Sequence, residues 1–304
     1  MTLGIDIGGT NIKFGIVDED SRILKKYSIE TKTDKGDKEL VCDIIEKAKE
    51  IQTEMPYRRI GVGTPGTVEY KTGVCIRAAN LPYKNTPVKK ILEEALGLQV
   101  QLVNDATAAI YGELCAGAGK QYKNFIMITL GTGVGGGIVV DGKPYLGSRG
   151  CAGEFGHLII DFGGLPCRCG ARGCLEQYAS VTALIRQTQE AAEKNPNSIL
   201  AHLSAEGITG RTVFEARKQG CLVAEHVLNS YSGYVATGIT SLTRIFQPEA
   251  VVLGGAISNE GEQLLAPIRE KVALPVELTV SALKNDAGLI GAACVAKETQ
   301  KNYF

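Results

Sequence analysis

The pattern of hydrophobic and polar positions at the start of the chain predicts a hairpin followed by a third strand. Apolar residues fill most of positions 3–7, and a Gly-Gly-Thr turn at 8–10 separates them from a second apolar run over 12–17. An acidic turn at 18–20 then leads into the alternating positions of 22–30. A period of two is typical of strands and glycine is typical of tight turns, so each of the three runs predicts a strand.

The same order recurs in the middle of the chain. An apolar run over 125–130 is followed by a glycine turn over 131–136, a strand over 137–140 and an Asp-Gly turn before a short third strand. The recurrence of strand, glycine turn, strand and acidic turn indicates an internal duplication. The alternative interpretation is a coincidence between two hairpins of a common type.

Helical and strand patterns alternate in the rest of the chain. Helical spacing of apolar positions predicts helices over 38–55, 87–96, 106–116 and 181–194, and one long helix or two shorter ones over 221–246. Short apolar runs predict strands over 59–63, 100–103 and 250–253. This alternation predicts an α/β fold.

The length of 304 residues exceeds the usual size of a single core, so two domains are expected. We place a smaller N-terminal α/β domain at 1–117 plus 290–304, and a larger C-terminal α/β domain at 118–289. Ligands are expected in the cleft between two such domains.

The charge balance excludes several classes of partner. Lys+Arg and Asp+Glu both number 33, so the formal net charge is zero and no basic surface for nucleic acid is indicated. No apolar run is long enough for a membrane span. The first ten residues show no signal-peptide pattern, so we expect a cytoplasmic protein without membrane or nucleic-acid partners.

The first glycine turn is a candidate phosphate loop. Glycines let the backbone approach a polyphosphate and point N–H groups at it. Asp6, two positions before the turn, is a candidate ligand of Mg²⁺. The alternative for the turn alone is a plain hairpin. The candidate nucleotide contacts here are Gly8, Gly9, Thr10, Asn11 and Lys13.

The second glycine turn offers Gly131, Thr132 and Gly133 as further phosphate contacts. It formally contains GxGxxG, but a strand follows where a dinucleotide fingerprint requires a helix, and no GxxxxGK[ST] occurs in the chain. Gly254 and Gly255, after the strand at 250–253, are candidates for packing against adenine or ribose, with a simple strand-to-helix turn as the alternative.

Three cysteines and one of the three histidines fall in one short segment. His157, Cys167, Cys169 and Cys174 form His-x9-Cys-x-Cys-x4-Cys, a ligand set that suits tetrahedral zinc. Free thiols on a loop are the alternative, but three of them in eight residues would be prone to oxidation. With four protein ligands the predicted role of the zinc is structural.

Four polar residues near these features are candidates for binding and chemistry. Glu154 and Glu176 flank the cysteine cluster and could accept hydrogen bonds from sugar hydroxyls, although surface charge is the commoner fate of a glutamate. Asn104 and Asp105 stand where a predicted strand meets a helix. Asp105 could act as a general base, or cap the helix.

Together these segments resemble the ROK family of repressors, open reading frames and kinases. The resemblance rests on the Asp6–Thr10 motif, Asn104-Asp105, the 131–137 loop, the Glu154–His157 motif and the CxCGxxGCxE motif that ends at Glu176. It implies an actin-like ATPase (ribonuclease H-like) fold, ATP with Mg²⁺, structural zinc, domain closure over the sugar and often a homodimer. It further implies Asp105 as base and sugar contacts from Asn80, Asn104, Glu154, His157 and Glu176.

The expected function is an ATP-dependent hexose kinase, with glucose and its 6-hydroxyl as the first choice. N-acetylmannosamine, other hexoses and β-glucosides stay open as substrates. A sugar-sensing regulator without kinase activity is a second class, and the presence of Asp105 and both loops speaks against it. Repressors of the family carry a DNA-binding segment ahead of the first loop, which here starts at Gly8. A zinc hydrolase would need an open metal position.

Overall fold

A computed structural model describes residues 1–78, 80–148, 150–205 and 207–298, and it confirms the α/β prediction. The strands in this part of the chain are β1 (Thr2–Ile7), β2 (Asn11–Val17), β3 (Ile23–Glu30), β4 (Arg59–Thr64), β5 (Thr67–Glu69), β6 (Val74–Arg77), β7 (Lys84–Thr86), β8 (Val100–Asn104), β9 (Phe125–Leu130), β10 (Val134–Val140), β11 (Lys143–Tyr145), β12 (Ala250–Gly254) and β13 (Glu277–Val280). The helices are α1 (Asp37–Glu54), α2 (Val88–Leu96), α3 (Asp105–Ala116), α4 (Glu176–Ala179), α5 (Val181–Lys194), α6 (Ile199–Ser204), α7 (Thr212–Lys218), α8 (Leu222–Phe246), α9 (Glu262–Arg269) and α10 (Ala287–Glu298).

Two five-stranded sheets have the same strand order. The first runs β3-β2-β1-β4-β8, with β1 antiparallel to β2 and parallel to β4, and with β4 parallel to β8. The second runs β11-β10-β9-β12-β13, with β12 parallel to both β9 and β13. The recurrence that the glycine turns predict therefore extends to the order of the strands. A third, three-stranded sheet joins β5, β6 and β7.

The second glycine turn is shorter than its sequence predicts. β10 begins at Val134, whereas the pattern placed its start at residue 137, so only Gly131–Gly133 form the turn. The prediction assigned Gly136 to the turn because glycine favours turns. In the fold this glycine lies in the strand, where a Cβ would overlap the ring of Phe155 and lie 2.7 Å from the Met127 carbonyl oxygen. Close packing, and not a change of chain direction, requires that glycine.

Helices α3 and α10 pack so closely that their backbones are in contact. A Cβ on Gly291 would overlap the carbonyl oxygen of Ala108, and one on Gly112 would overlap that of Ala287. Both helices are rich in small residues, and α10 also packs against β1 and β4. The C-terminal helix thus completes the layer behind the first sheet, beside the residues that follow β1 and β8.

The residues 222–246 form one continuous helix, α8, which settles the choice left open between one helix and two. It is amphipathic, with buried positions such as Val227, Tyr231 and Val235 at helical spacing. Across the described ranges, no helix combines the length and hydropathy that crossing a membrane requires.

The chain forms two compact units. Unit 1 consists of residues 1–123, 138–152 and 285–304, and unit 2 of residues 124–137 and 153–284. The core of unit 1 includes buried apolar side chains of β1, β2, β4, α1 and β8, among them Ile5, Phe14 and Val62. Strand β10 begins in unit 2 and ends in unit 1. The domain limits given from the sequence, with boundaries at 117 and 290, stay a prediction.

Candidate active site

The first glycine turn connects β1 to β2 in unit 1 and is held from within. The N–H of Gly8 donates to the carbonyl of Asn11 at 3.0 Å, and the Thr31 hydroxyl donates to the carbonyl of Gly8 at 2.8 Å. The N–H of Thr31 donates to the carbonyl of Thr10 at 2.9 Å. Gly9 and Thr10 are exposed. The turn therefore has a fixed shape and an accessible backbone, as a phosphate loop requires.

Asn80 lies beside this turn. A Cβ on Gly9 would be 3.8 Å from the Cβ of Asn80, which is itself exposed. The two positions are 71 residues apart in the chain. The structure thus brings one predicted sugar contact next to the predicted phosphate loop.

Asp6 occupies a mostly buried position at the carboxyl end of β1. Its Oδ2 lies 3.7 Å from Nζ of Lys13, the residue opposite it on β2. Burial raises the pKa of the Asp6 carboxyl, the Lys13 ammonium opposes this rise, and the negative charge of Asp105 adds to it. Gly288 at the start of α10 leaves room here, since a Cβ would lie 3.1 Å from the carboxylate. A divalent cation would relieve the repulsion between the two carboxylates.

Asn104, and not Asp105, is the residue that caps α3. β8 ends at Asn104, whose Oδ1 accepts from the N–H of Ala106 at 2.9 Å and caps α3. Its Nδ2 donates to the carbonyl of Gly66 at 2.9 Å. The sequence offered capping as an alternative role for Asp105, but the neighbouring asparagine holds the cap position.

Asp105 is the first residue of α3 and is largely buried. Its Oδ1 accepts from the N–H of Ala106 at 2.8 Å. Burial nevertheless raises the pKa of the Asp105 carboxyl above its usual range, against the effect of that hydrogen bond. A carboxylate with a raised pKa at the carboxyl end of a parallel strand is well suited to accept a proton.

The second glycine turn lies in unit 2 and is fixed by the start of α5. The N–H of Gly131 donates to the carbonyl of Gly133 at 2.9 Å. The N–H of Val181 donates to the carbonyl of Gly131 at 2.8 Å, and the Thr182 hydroxyl donates to that of Thr132 at 2.7 Å. As in the first turn, carbonyl oxygens of the turn accept hydrogen bonds from other groups of the protein.

Glu176 contacts this second turn directly. Its Oε2 accepts from the N–H of Val134 at 3.0 Å, and a Cβ on Gly133 would overlap the carboxylate. The contact joins residues 42 apart in the chain. Sequence reasoning did not find the Val134 N–H, because nothing in the local pattern marks that backbone group.

The four predicted metal ligands come together in unit 2. One ligand atom from each of His157, Cys167, Cys169 and Cys174 lies within 4.8 Å of all the others. The His157 Nδ1 is 3.7 Å from Sγ of Cys167, and the Sγ atoms of Cys169 and Cys174 are 3.6 Å apart. Zinc bonds of usual length give tetrahedral edges of about 3.8 Å between sulfurs and about 3.6 Å between sulfur and nitrogen. These two distances are close to tetrahedral edges, and no pair of the four ligand atoms is more than 4.8 Å apart, so the donor set fits tetrahedral zinc.

His157 presents its two nitrogens to different neighbours. Nδ1 faces the cysteine cluster, while Nε2 lies 4.0 Å from Oε2 of Glu154. Both side chains are exposed. A metal on Nδ1 would leave the proton on Nε2, next to the glutamate, where an N–H and a carboxylate can both meet a hydroxyl-rich ligand.

Gly254 and Gly255 end β12 for reasons of packing. Gly255 has φ of 90°, in the left-handed region, and a Cβ there would overlap the Leu130 carbonyl oxygen. A Cβ on Gly254 would lie 2.8 Å from Cε of Met127. Chain geometry alone accounts for both glycines, so their contact with the nucleotide stays a prediction.

Comparison with known proteins finds similarity over nearly the whole chain. The model of the ROK family matches residues 2–299. The glucokinase of Thermotoga maritima is 37% identical over 309 residues, covering 97% of each chain. The glucokinase of Streptomyces coelicolor is 38% identical and covers 98% of each chain.

Solved structures agree with these relatives. A ROK family glucokinase from Streptomyces griseus, solved in complex with glucose and AMPPNP, matches with a TM-score of 0.84 and 36% identity. The match covers 98% of this chain and 99% of that one. This likeness confirms the predicted actin-like ATPase fold.

Proposed function

The chain belongs to the ROK family, and from that membership we propose that it is an ATP-dependent hexose kinase that converts glucose to glucose 6-phosphate. The observation that carries the proposal is identity of 37–38% to glucokinases over nearly the full chain. Asp105, the two glycine turns and the cysteine cluster all lie within the matched residues. N-acetylmannosamine, other hexoses and β-glucosides are the alternative substrates.

In the proposed mechanism Asp105 accepts the proton of the sugar hydroxyl. The hydroxyl oxygen then attacks the γ-phosphorus of ATP, the bond to the β,γ-bridging oxygen breaks, and ADP leaves. General-base assistance contributes roughly 10²–10⁴ in rate. Phosphoryl transfer otherwise depends on positioning and on neutralising charge.

The nucleotide is assigned to the glycine turns. Backbone N–H groups of the Gly8–Thr10 and Gly131–Gly133 turns bind phosphate oxygens, with Asn11 and Lys13 beside the first turn, and Gly254 and Gly255 border the nucleoside. Asp6 is the candidate to hold Mg²⁺, which when bound neutralises the charge that develops on the phosphates.

The sugar is assigned to the polar side chains around these turns. The residues proposed to offer amide, carboxylate and imidazole groups to the hydroxyls are Asn80, Asn104, Glu154, His157 and Glu176. Structural zinc on His157 and the three cysteines would hold in place the segment that Glu154 and Glu176 flank. The homodimer, the lack of a nucleic-acid partner and a cytoplasmic location stay expectations from the sequence.

The direct test combines a substrate panel with one substitution. ADP release is measured over hexoses, N-acetylhexosamines and β-glucosides, and we expect the highest kcat/KM with glucose. Asp105→Asn should lower kcat by roughly 10²–10⁴. It should keep the thermal shift caused by glucose, because the amide preserves the shape of the side chain.

The control is Asp20→Asn, which makes the same chemical change at an exposed turn. We also expect Asp105→Asn to keep or raise the thermal midpoint. Burial disfavours the ionised carboxylate, so the stability linked to this group is lost as pH rises through its raised pKa, and the neutral amide avoids that loss. Wild-type turnover in Asp105→Asn would contradict the role as base, and no activity on any hexose would contradict the function.

A further inference from the structure

The single turn of α4 contacts both the second glycine turn and the cysteine cluster. Glu176 accepts from the N–H of Val134, as described above. The next residue, Gln177, points its side-chain amide the other way, with Nε2 3.7 Å from Sγ of Cys167. Two adjacent side chains thus connect a predicted phosphate loop to a predicted metal ligand.

The backbone of α4 is held in place by α5. Nη2 of Arg186 donates to the carbonyl of Gln177 at 2.8 Å, and Nε2 of Gln187 donates to the carbonyl of Tyr178 at 2.9 Å. The Tyr178 hydroxyl in turn accepts from the N–H of Leu165 at 2.8 Å, and Leu165 lies two residues before Cys167. Because these bonds fix the main chain of α4, the Gln177 side chain starts from a defined position beside Cys167.

The chemistry of this contact favours a metal-bound thiolate. Cys167 is buried and Gln177 is half-buried, so the amide meets the sulfur with little competition from water. A thiolate accepts a hydrogen bond more strongly than a thiol does, since charged acceptors form the stronger bonds. A neutral amide N–H stabilises that negative charge without adding charge of its own, and it orients the sulfur toward the ion.

We propose that Gln177 is a positioning residue of the zinc site, acting through a hydrogen bond from its amide to the thiolate of Cys167. The assignment rests on the proposed structural zinc. Through it, Gln177 fixes the metal-bound segment relative to α4 and so to Glu176. It acts on sugar binding only through these neighbours.

The test compares Gln177→Leu, which has no donor, and Gln177→Glu, which places an acceptor beside the thiolate. Gln189→Leu is the matched control, because Gln189 is exposed on α5 and hydrogen-bonds Glu193. Zinc affinity is measured on the full chain by competition with a chromophoric chelator. Loss of an outer hydrogen-bond partner is expected to weaken metal affinity by about 10–100-fold in both variants and leave the control unchanged.

A second readout separates this role from general support of the fold. In the cobalt-substituted protein, removing the N–H donor should move the sulfur-to-cobalt charge-transfer band to lower energy in both variants, while Gln189→Leu keeps the wild-type band. If Gln177→Leu does not fold, Gln177→Glu decides alone, since it keeps the side-chain length.

Wild-type zinc affinity and an unmoved cobalt band in Gln177→Glu would overturn the role. A wild-type chain that binds no zinc would overturn it together with the zinc site. Neither measurement uses sugar or ATP, so failure of the kinase function leaves both results interpretable. If the kinase function holds, KM for glucose should rise in the variants more than kcat falls.

Discussion

Asp105 shows how a single residue acquires a chemical role from its neighbours. Asn104 supplies the helix cap, so Asp105 is not needed for it. Burial raises its pKa while one backbone N–H still contacts the carboxylate. The sequence predicts the strand-to-helix position of this pair. It cannot predict which of two adjacent cap-forming residues holds the cap, because that depends on backbone angles set by the whole sheet.

The raised pKa of Asp105 predicts the pH dependence of the kinase reaction. A general base works in its ionised form, so kcat/KM for glucose should fall as pH drops through this raised pKa, above the usual range of an aspartate. The measurement is a pH profile of kcat/KM from ADP release. Asp6 also has a raised pKa, so the profile is repeated at several Mg²⁺ concentrations.

The two carboxylates should respond differently to the metal. If the acid limb of the pH profile comes from Asp6, it should move with Mg²⁺ concentration, because the ion competes with the proton for that carboxylate. A limb caused by Asp105 should stay in place and vanish in the residual activity of Asp105→Asn. An acid limb at or below the usual pKa of an aspartate would contradict the prediction.

The sequence predicts that the metal-binding residues lie close together, but it does not predict the contact that Glu176 makes. The three cysteines fall within eight residues, so their proximity follows from spacing alone. The contact of Glu176 with Val134 spans 42 residues and depends on where α4 packs. Local spacing therefore predicts the cluster, and tertiary packing determines which backbone group meets the carboxylate.

At the scale of elements, glycine has opposite uses in two helices. In α10, Gly291 lets the backbone approach Ala108 of α3 so closely that a Cβ would overlap its carbonyl. In α8, nothing lies within 4 Å of the position where a Cβ on Gly233 would stand. The sequence shows two helix glycines that look alike, and only packing tells them apart. The same limit explains why the extent of the second glycine turn was predicted wrongly.

This difference predicts opposite effects of one substitution. Gly291→Ala should lower the free energy of unfolding by about 1–3 kcal/mol or more, because the helices must move apart. Gly233→Ala should raise it by about 0.5–1 kcal/mol, because alanine favours the helix and meets no neighbour. Urea denaturation followed by circular dichroism measures both, and the pair serves as mutual control. Stabilisation by Gly291→Ala would contradict the close contact of α3 with α10.

At the scale of the whole molecule, the two units differ in how the chain builds them. Residues 124–284 contain all of unit 2, with the 138–152 segment of unit 1 between its two pieces. Unit 1 needs both ends of the chain, since α10 packs on β1, β4 and α3. The repeated pattern in the sequence predicts the resemblance of the two halves, and the two sheets have the same strand order. The use of the last helix in the first unit does not follow from that pattern, because no local signal pairs them.

This asymmetry predicts the behaviour of fragments. A fragment of residues 124–284 should unfold cooperatively on heating, whereas 1–123 alone should not, because its layer behind the sheet is incomplete. Joining 285–298 to 1–123 through a Gly/Ser linker should restore cooperative unfolding, measured by circular dichroism and resistance to protease. Cooperative unfolding of 1–123 by itself would contradict the role given to α10.

The placement of α10 also fixes an order of events during synthesis on the ribosome. Strands β1 to β8 are translated before unit 2, yet α10, which packs on β1 and β4, is translated after it. Every residue of unit 2 is made in between, so the second unit has its full sequence before the first can close. The growing chain therefore carries an uncovered sheet surface while unit 2 is translated, and in that interval a chaperone would have most to shield.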